Sequence, residues 1–468
     1  MRPLVHRIFL IGGITLISGF PGSIHAQVFL KGRIIDTIKC LDHSDQSYAL
    51  YLPPSYSEKN KWPVILIFDP GGQGVVAVKA FKPAAEKYGY IIGCSHNSRN
   101  GPLNNNFAAA GFMLNDLSKR FSLNDKRIFT AGFSGGSRFA LALASGNEFI
   151  AGVIGCGAGL PNENNLYPSG RSSFIYYGIA GNRDMNYLEM FDLMTFFNTR
   201  TPVVTYLRTF EGGHQWPSPE ILQEAVEWIN LQTIKKKEIA IDTLFISIFS
   251  KKTRSYINYL RSAGNLIDAE RYMHYAIRDL SGLQNVSDLT RSVTGLDQSK
   301  DFREANSDWT NIASLERKMT ERFISSIRDI MYSGSVSDTT FRWWNNEVRS
   351  LRLMKDKSRP VNSQMASRLL NFISILCSEQ GTACYRQKNY DLSGFLFEIC
   401  TLSDSENKNN YYNLARSLSG LNKKQEAIEA LNKAVEYGLT ERKTIDNEPV
   451  FNNLRSEEKF KMVLMKLK

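Results

Sequence analysis

With 468 residues, 43% apolar and 22% charged, the chain has the length for two or three domains and the composition of a globular protein with sizeable cores. The formal net charge of +11 falls by two once a leader carrying Arg2 and Arg7 is removed, which could suit an anionic surface or polymer. Basic residues are otherwise interleaved with acids, and the densest cluster, Lys235-Lys236-Lys237, reads as a solvated linker, so the expected partners do not include nucleic acid.

The first 26 residues read as a secretory signal peptide. Arg2 and Arg7 supply the positive start, Ile8 to Phe20 is an apolar run too short to span a bilayer, and the small residue Ala26 suits cleavage. Gln27 follows rather than cysteine, which argues against a lipoprotein anchor. No later segment reaches about 18 uninterrupted apolar residues, so no stable membrane span is expected after cleavage, and the expected location is secreted or periplasmic.

Residues 27–235 alternate strand-like and helix-like segments, the pattern of an α/β domain with a mainly parallel sheet. Tyr48 to Leu52, Pro63 to Phe68, Gly89 to Ser95, Arg127 to Ala131, Gly152 to Cys156, Phe174 to Ala180 and Val203 to Thr209 are predicted strands. Phe107 to Phe121, Ser137 to Ala144, Tyr187 to Phe197 and Ser218 to Leu231 are predicted helices. The connection from Gly157 to Ser172 is short and polar, too short for a large lid, so the site is expected to be open to solvent. Cys94 and Cys156 lie on predicted strands, where buried free thiols are the expectation although a disulfide between them is conceivable in an oxidising compartment.

Chemistry enters at Gly132-Phe133-Ser134-Gly135-Gly136, where the predicted strand turns sharply into the predicted helix. At such a turn a serine is held in a strained conformation with its hydroxyl exposed, and only glycine fits two residues before and two after it. A serine hydroxyl needs a histidine base and an orienting carboxylate, expected here in the order Ser, acid, His. Of six histidines, His6 and His25 lie in the leader, His43 and His96 precede Ser134, and His274 falls on a helix of a different region. His214, in the glycine-flexed loop after the last predicted strand, remains as the base. The acid is Asp184, ending Gly181-Asn182-Arg183-Asp184 after the preceding strand; Glu211 is the rival, too close in sequence to His214 to arrive on a separate loop. The backbone N–H of Gly135 is the first expected oxyanion donor. The second comes from Asp69-Pro70-Gly71-Gly72-Gln73-Gly74, with Gly72 the choice and Gly71 or Gln73 open. Arg99, in the loop after Ser95, could grip a substrate carboxylate or sulfate, or brace its own loop through backbone carbonyls. No Cys/His cluster with metal-ligand spacing and no phosphate-cradling loop is present, so no metal site is expected.

Over about Gly32 to Leu231 the chain resembles the α/β-hydrolase family, in particular the secreted esterases that include feruloyl esterase-like, polyhydroxybutyrate depolymerase-like and dienelactone hydrolase proteins. The resemblance is carried by Tyr48 to Tyr56, the Asp69 to Gly74 loop, the Ser134 turn, Gly181 to Asp184 and Gly212-Gly213-His214. It implies an acyl-enzyme mechanism without a cofactor, acting on a small-molecule or polymer-linked ester. The chain departs from the commoner pattern at Asp69-Pro70, where many relatives carry a histidine before the oxyanion glycines. A peptidase of prolyl-oligopeptidase type would share fold and residue order, but such enzymes usually place a β-propeller before the hydrolase region. A scaffold with an inactive hydrolase region is the reading from a different class; the presence of Ser134, Asp184 and His214 weighs against it.

From 236 to 468 the chain is predicted to be all helical. Cys377, Gly381, Cys384, Ser393, Phe397 and Cys400 recur 34 residues later as Tyr411, Ala415, Leu418, Ala427, Leu431 and Ala434. Small residues at close helix contacts with large ones between them suit stacked helical hairpins. The pattern resembles tetratricopeptide repeats, most clearly over 377–438, and makes the three cysteines packed thiols. A degenerate hairpin is read over Tyr256 to Ile277, and the polar stretch Gly282 to Asn306 reads as a loop or link. Such a region is expected to bind a protein partner, hold a second copy, or shade the active site.

Overall fold

A computed structural model describes residues 29–357 and 359–467; the expected signal segment lies outside them. The chain divides into two compact units. One runs to Asn182 and resumes over Asn186–Arg303; the other comprises Arg183–Met185 and Glu304–Lys468.

The first unit is built on eight strands: β1 (Ile34–Lys39), β2 (Ser47–Tyr51), β3 (Trp62–Phe68), β4 (Ile91–Ser95), β5 (Leu123–Phe133), β6 (Ile150–Cys156), β7 (Ile175–Gly181) and β8 (Thr205–Phe210). They form one sheet in the order β1-β2-β4-β3-β5-β6-β7-β8. β2 pairs antiparallel with β1 and β4, and every pairing from β4 through β3 to β8 is parallel. The seven predicted strands are present, with ends shifted by up to four residues; β1, whose side chains are mostly half-exposed or exposed, carries too weak an apolar pattern to be read from sequence.

Strand side chains alternate between two cores, which is why the strands read as continuous apolar runs rather than as alternating ones. Ile65 and Ile67 of β3, Phe129 and Ala131 of β5, and Tyr177 and Ile179 of β7 face one core. Val64, Leu66 and Phe68 of β3 and Tyr176 and Ala180 of β7 face the other. The first core is closed by α1 (Gly74–Tyr88) through Ala77, Phe81 and Ala84. The second is closed by α2 (Leu103–Arg120), α3 (Gly135–Gly146) and α4 (Tyr187–Arg200), through residues such as Met113, Phe139 and Phe197. Helix α5 (Pro219–Lys235) lies on the first face through Leu222, Val226 and Ile229.

The texture changes near Lys237 because strands cease, whereas the packing division comes later, after Arg303. Helices α6 (Thr243–Ser262), α7 (Leu266–Leu280) and α8 (Ser287–Asp297) share the first core through Ile257, Tyr272, Met273 and Leu289. Buried polar ties reinforce them: Asp279, 1% exposed, accepts from Trp228 Nε1 at 2.8 Å and Gln232 Nε2 at 3.0 Å, and Thr209 Oγ1 donates to Asp268 at 2.9 Å. Asp279→Ala strands two buried donors of α5 and is expected to cost about 2–3 kcal/mol, read as a lower midpoint in urea unfolding.

Most of the stretch Gly282 to Asn306, expected as a loop or link, is helical instead: α8 and the start of the next helix fill it from Ser287 onward. Leu289, Val293 and Leu296 recur at helical spacing and are buried, a stripe short enough to be overlooked among the surrounding Ser, Thr and Asp residues.

From Glu304 the second unit is helical: the rest of α9 (Lys300–Ser333), then α10 (Asp338–Lys357), α11 (Pro360–Arg386), α12 (Tyr390–Ser403), α13 (Lys408–Gly420) and α14 (Lys424–Glu436), followed by shorter segments. The 34-residue recurrence maps onto the pairs α11/α12 and α13/α14. Cys377, Ser393, Cys400, Ala415, Ala427 and Ala434 are all fully buried, and Gly381 carries no Cβ where one would sit 3.1 Å from the Phe397 ring. Among the described residues no helix is long and apolar enough to cross a membrane.

Candidate active site

Ser134 stands between β5 and α3 with φ 53° and ψ −123°, backbone that a non-glycine residue adopts only under constraint. Its N–H donates to the Cys156 carbonyl on β6 at 2.8 Å, and its carbonyl accepts from Ser137 and Arg138. Crowding explains the flanking glycines: a Cβ on Gly132 would lie 2.1 Å from the Gly136 carbonyl oxygen, and one on Gly136 would lie 2.0 Å from the Phe68 carbonyl oxygen. The strand-turn-helix read from the motif is therefore the observed geometry.

His214 lies beyond β8, and its Nε2 is 2.9 Å from Ser134 Oγ, although the two residues are 80 apart in the chain. The imidazole is packed by Phe133, whose ring centroid is 4.6 Å away, and Phe133 also packs on Trp216. The loops after β7 and β8 are locked together. Asn182 N–H donates to the Phe210 carbonyl at 2.8 Å, and the Asn182 side-chain oxygen accepts from Gly212 N–H at 3.2 Å. A Cβ at Gly181 would lie 2.5 Å from the Gly212 carbonyl oxygen, so glycine is what lets them approach. Asp184 follows Asn182 by two residues and is 1% exposed, whereas Glu211 is exposed.

Gly135 opens α3, so its N–H has no acceptor within the helix and remains available to a developing negative charge. The β3 loop is arranged differently from expectation. Gly72 N–H donates to the Asp69 carbonyl at 3.0 Å, closing a turn in which Gly72 takes φ +71°. Gly71 and Gln73 N–H groups donate to Asp69 Oδ1 at 2.9 and 3.0 Å. All three candidate N–H groups therefore converge on Asp69, and Gly72 cannot serve an oxyanion without opening its turn. Asp69, 6% exposed, also accepts from Trp216 Nε1 at 2.8 Å, tying this loop to the one that carries His214.

Arg99 donates to the His96 carbonyl at 2.8 Å, which braces its own loop. His96 in turn has Nε2 2.8 Å from the Asp36 carbonyl oxygen. Sequence reasoning missed the bidentate pair of Arg138 with Glu189, at 2.5 and 2.8 Å; Glu189 also accepts from Gly159 N–H at 2.8 Å and so fastens α3, α4 and the loop after β6. It also missed the hub at Asp69, for which the aspartate ahead of a glycine pair, able to bond its own backbone two residues on, was the available signal. The six cysteines are all buried and free; burial pushes the Cys94 and Cys156 thiols well above their ordinary range, which leaves them unreactive packing groups.

No family model and no curated protein matches the sequence. Solved structures do match over less than half of the chain. A fluorophosphonate-binding serine hydrolase of Staphylococcus aureus is 12% identical, with 39% of this chain and 92% of that one covered at a TM-score of 0.33. Est1E from Butyrivibrio proteoclasticus is 14% identical, covering 41% and 95% at 0.33, and a putative esterase of Staphylococcus aureus is 10% identical, covering 48% and 89% at 0.35. Strand order, the covering helices on both faces and the turn at Ser134 are this chain's own evidence of its architecture. The first unit has the α/β-hydrolase fold.

Proposed function

We propose that the chain is a serine hydrolase of carboxylic esters, with Ser134 as nucleophile, His214 as base, Asp184 as the orienting acid and Gly135 N–H as an oxyanion donor. The observation that carries this reading is the 2.9 Å approach of His214 Nε2 to Ser134 Oγ at a strained strand-to-helix turn. Ser134 Oγ attacks the ester carbonyl carbon while its proton passes to His214 Nε2, and the carbonyl π electrons move to oxygen. Collapse of that oxyanion breaks the bond to the alkoxy group, which leaves with the proton from His214. Water, deprotonated by the same imidazole, then attacks the acyl group and frees Ser134. Asp184 comes shortly after β7, on a loop separate from the one that carries His214, whereas Glu211 is three residues from His214 and exposed, which favours Asp184 as the partner that fixes the imidazole tautomer. The leader-like first 26 residues support action outside the cytoplasm.

A fluorophosphonate probe tests the reading. The full-length protein lacking only the leader is expected to become labelled at Ser134, located by mass spectrometry of the modified peptide; folded protein that takes up no probe would overturn it.

A further inference from the structure

We propose that the side-chain carboxamide of Asn100 is the second oxyanion donor, a role that rests on the hydrolase reading above. The β3 loop, which would ordinarily be looked to for this donor, has turned the N–H groups of Gly71, Gly72 and Gln73 onto Asp69. Asp69 cannot easily release them, because it is buried and its other oxygen is held by Trp216 Nε1. A different donor has to complete the pocket beside Gly135.

Asn100 is placed to do so. Its backbone N–H donates to the Pro70 carbonyl at 2.8 Å, which seats the loop after β4 directly on the β3 loop. Its carboxamide then lies over the Gly135 backbone: a Cβ built on Gly135 would fall 1.9 Å from Asn100 Oδ1, 2.9 Å from Cγ and 3.4 Å from Nδ2. The residue after the nucleophile is thus kept as glycine by this side chain, which occupies the space a Cβ there would take. Asn100 is exposed, so its carboxamide is open to solvent and free to reorient. A half-turn about the Cβ–Cγ bond exchanges Oδ1 for Nδ2, and a negative oxygen beside Gly135 favours the orientation that presents the N–H.

The decisive experiment compares Asn100→Ala and Asn100→Asp with the unaltered protein, using p-nitrophenyl acetate turnover and the second-order rate of inactivation by a fluorophosphonate, whose phosphoryl oxygen occupies the same pocket. Loss of one such donor is expected to lower kcat and the inactivation rate by about 10²–10³-fold, with KM within about twofold of the unaltered value. Asn100→Asp keeps the shape but offers no donor when ionised, and falls further. A variant that keeps kcat, or that loses only KM, overturns the role, since a merely structural side chain would show either pattern. If the unaltered protein is inactivated at Ser134 while Asn100→Ala is inactivated equally fast, Asn100 alone is misassigned. If the unaltered protein is not inactivated at all, the hydrolase reading fails and this inference falls with it.

Discussion

Ser134→Ala is expected to lower kcat for an activated ester by roughly a million-fold while leaving the circular dichroism and the urea midpoint close to those of the unaltered protein. The size follows from how the three groups act as a unit: without Oγ there is no covalent intermediate, and His214 and the oxyanion donors retain only the residual advantage of positioning and charge stabilisation, about 10³–10⁴ over water. The small effect on stability follows from local geometry. Alanine keeps the Cβ already accommodated at φ 53°, and the backbone bonds from Ser134 N–H to Cys156 and to its carbonyl from Ser137 and Arg138 are untouched. For the same reason a second substitution, His214→Ala, added to Ser134→Ala, is expected to remove almost nothing more. A Ser134→Ala protein that keeps a tenth of the original rate would place the nucleophile elsewhere.

A large loss of stability is expected at Gly136. Gly136→Ala sets a Cβ 2.0 Å from the carbonyl oxygen and 2.7 Å from the carbonyl carbon of Phe68. Neither neighbour is a side chain that can swing aside. Phe68 ends β3, which pairs with β5 through Phe68 opposite Gly132, so relief requires α3 to lift away from the centre of the sheet. Overpacking of this kind is expected to destabilise by about 3 kcal/mol or more, and the displaced turn carries Ser134 away from His214, so activity falls with it. Gly146→Ala, at the other end of the same helix, is the control. A Cβ there meets nothing within 4 Å, and relief of glycine's backbone entropy is expected to stabilise by about 0.5–1 kcal/mol. Equal urea midpoints for the two variants would show that the crowding around the turn is not what holds the helix to the sheet.

Much of this site was legible without coordinates, for identifiable reasons. The spacing of Gly132, Ser134 and Gly136 encodes a turn whose sterics are local, so a window of five residues contains the relevant physics. His214 could be chosen because chain order and elimination left one histidine after a late strand, and the parallel strands announced themselves as apolar runs because both faces of the sheet are covered. The helical hairpins past residue 377 were readable from the 34-residue recurrence, since each pair repeats the same close contacts.

Other features depended on partners far away in sequence, and no local pattern specifies those. The fate of the Gly72 N–H was decided by Asp69, which is held in turn by Trp216, 147 residues later. Asn100 reaches Gly135 only because β4 and β5 flank β3 and bring their following loops to one edge. Helices α6 to α8 belong to the sheet-bearing unit because Ile257, Tyr272, Met273 and Leu289 enter its first core, and on α7 the buried carboxylates Asp268 and Asp279 add donors from β8 and α5. By itself the sequence determined the turn that presents Ser134, the order of the groups that follow it and the apolar strands beneath them, because short-range sterics and hydrophobic patterning suffice there. Only the tertiary structure decided which N–H groups remain for the oxyanion and where the first unit ends, because buried polar groups must find partners and the fold determines which ones come within reach.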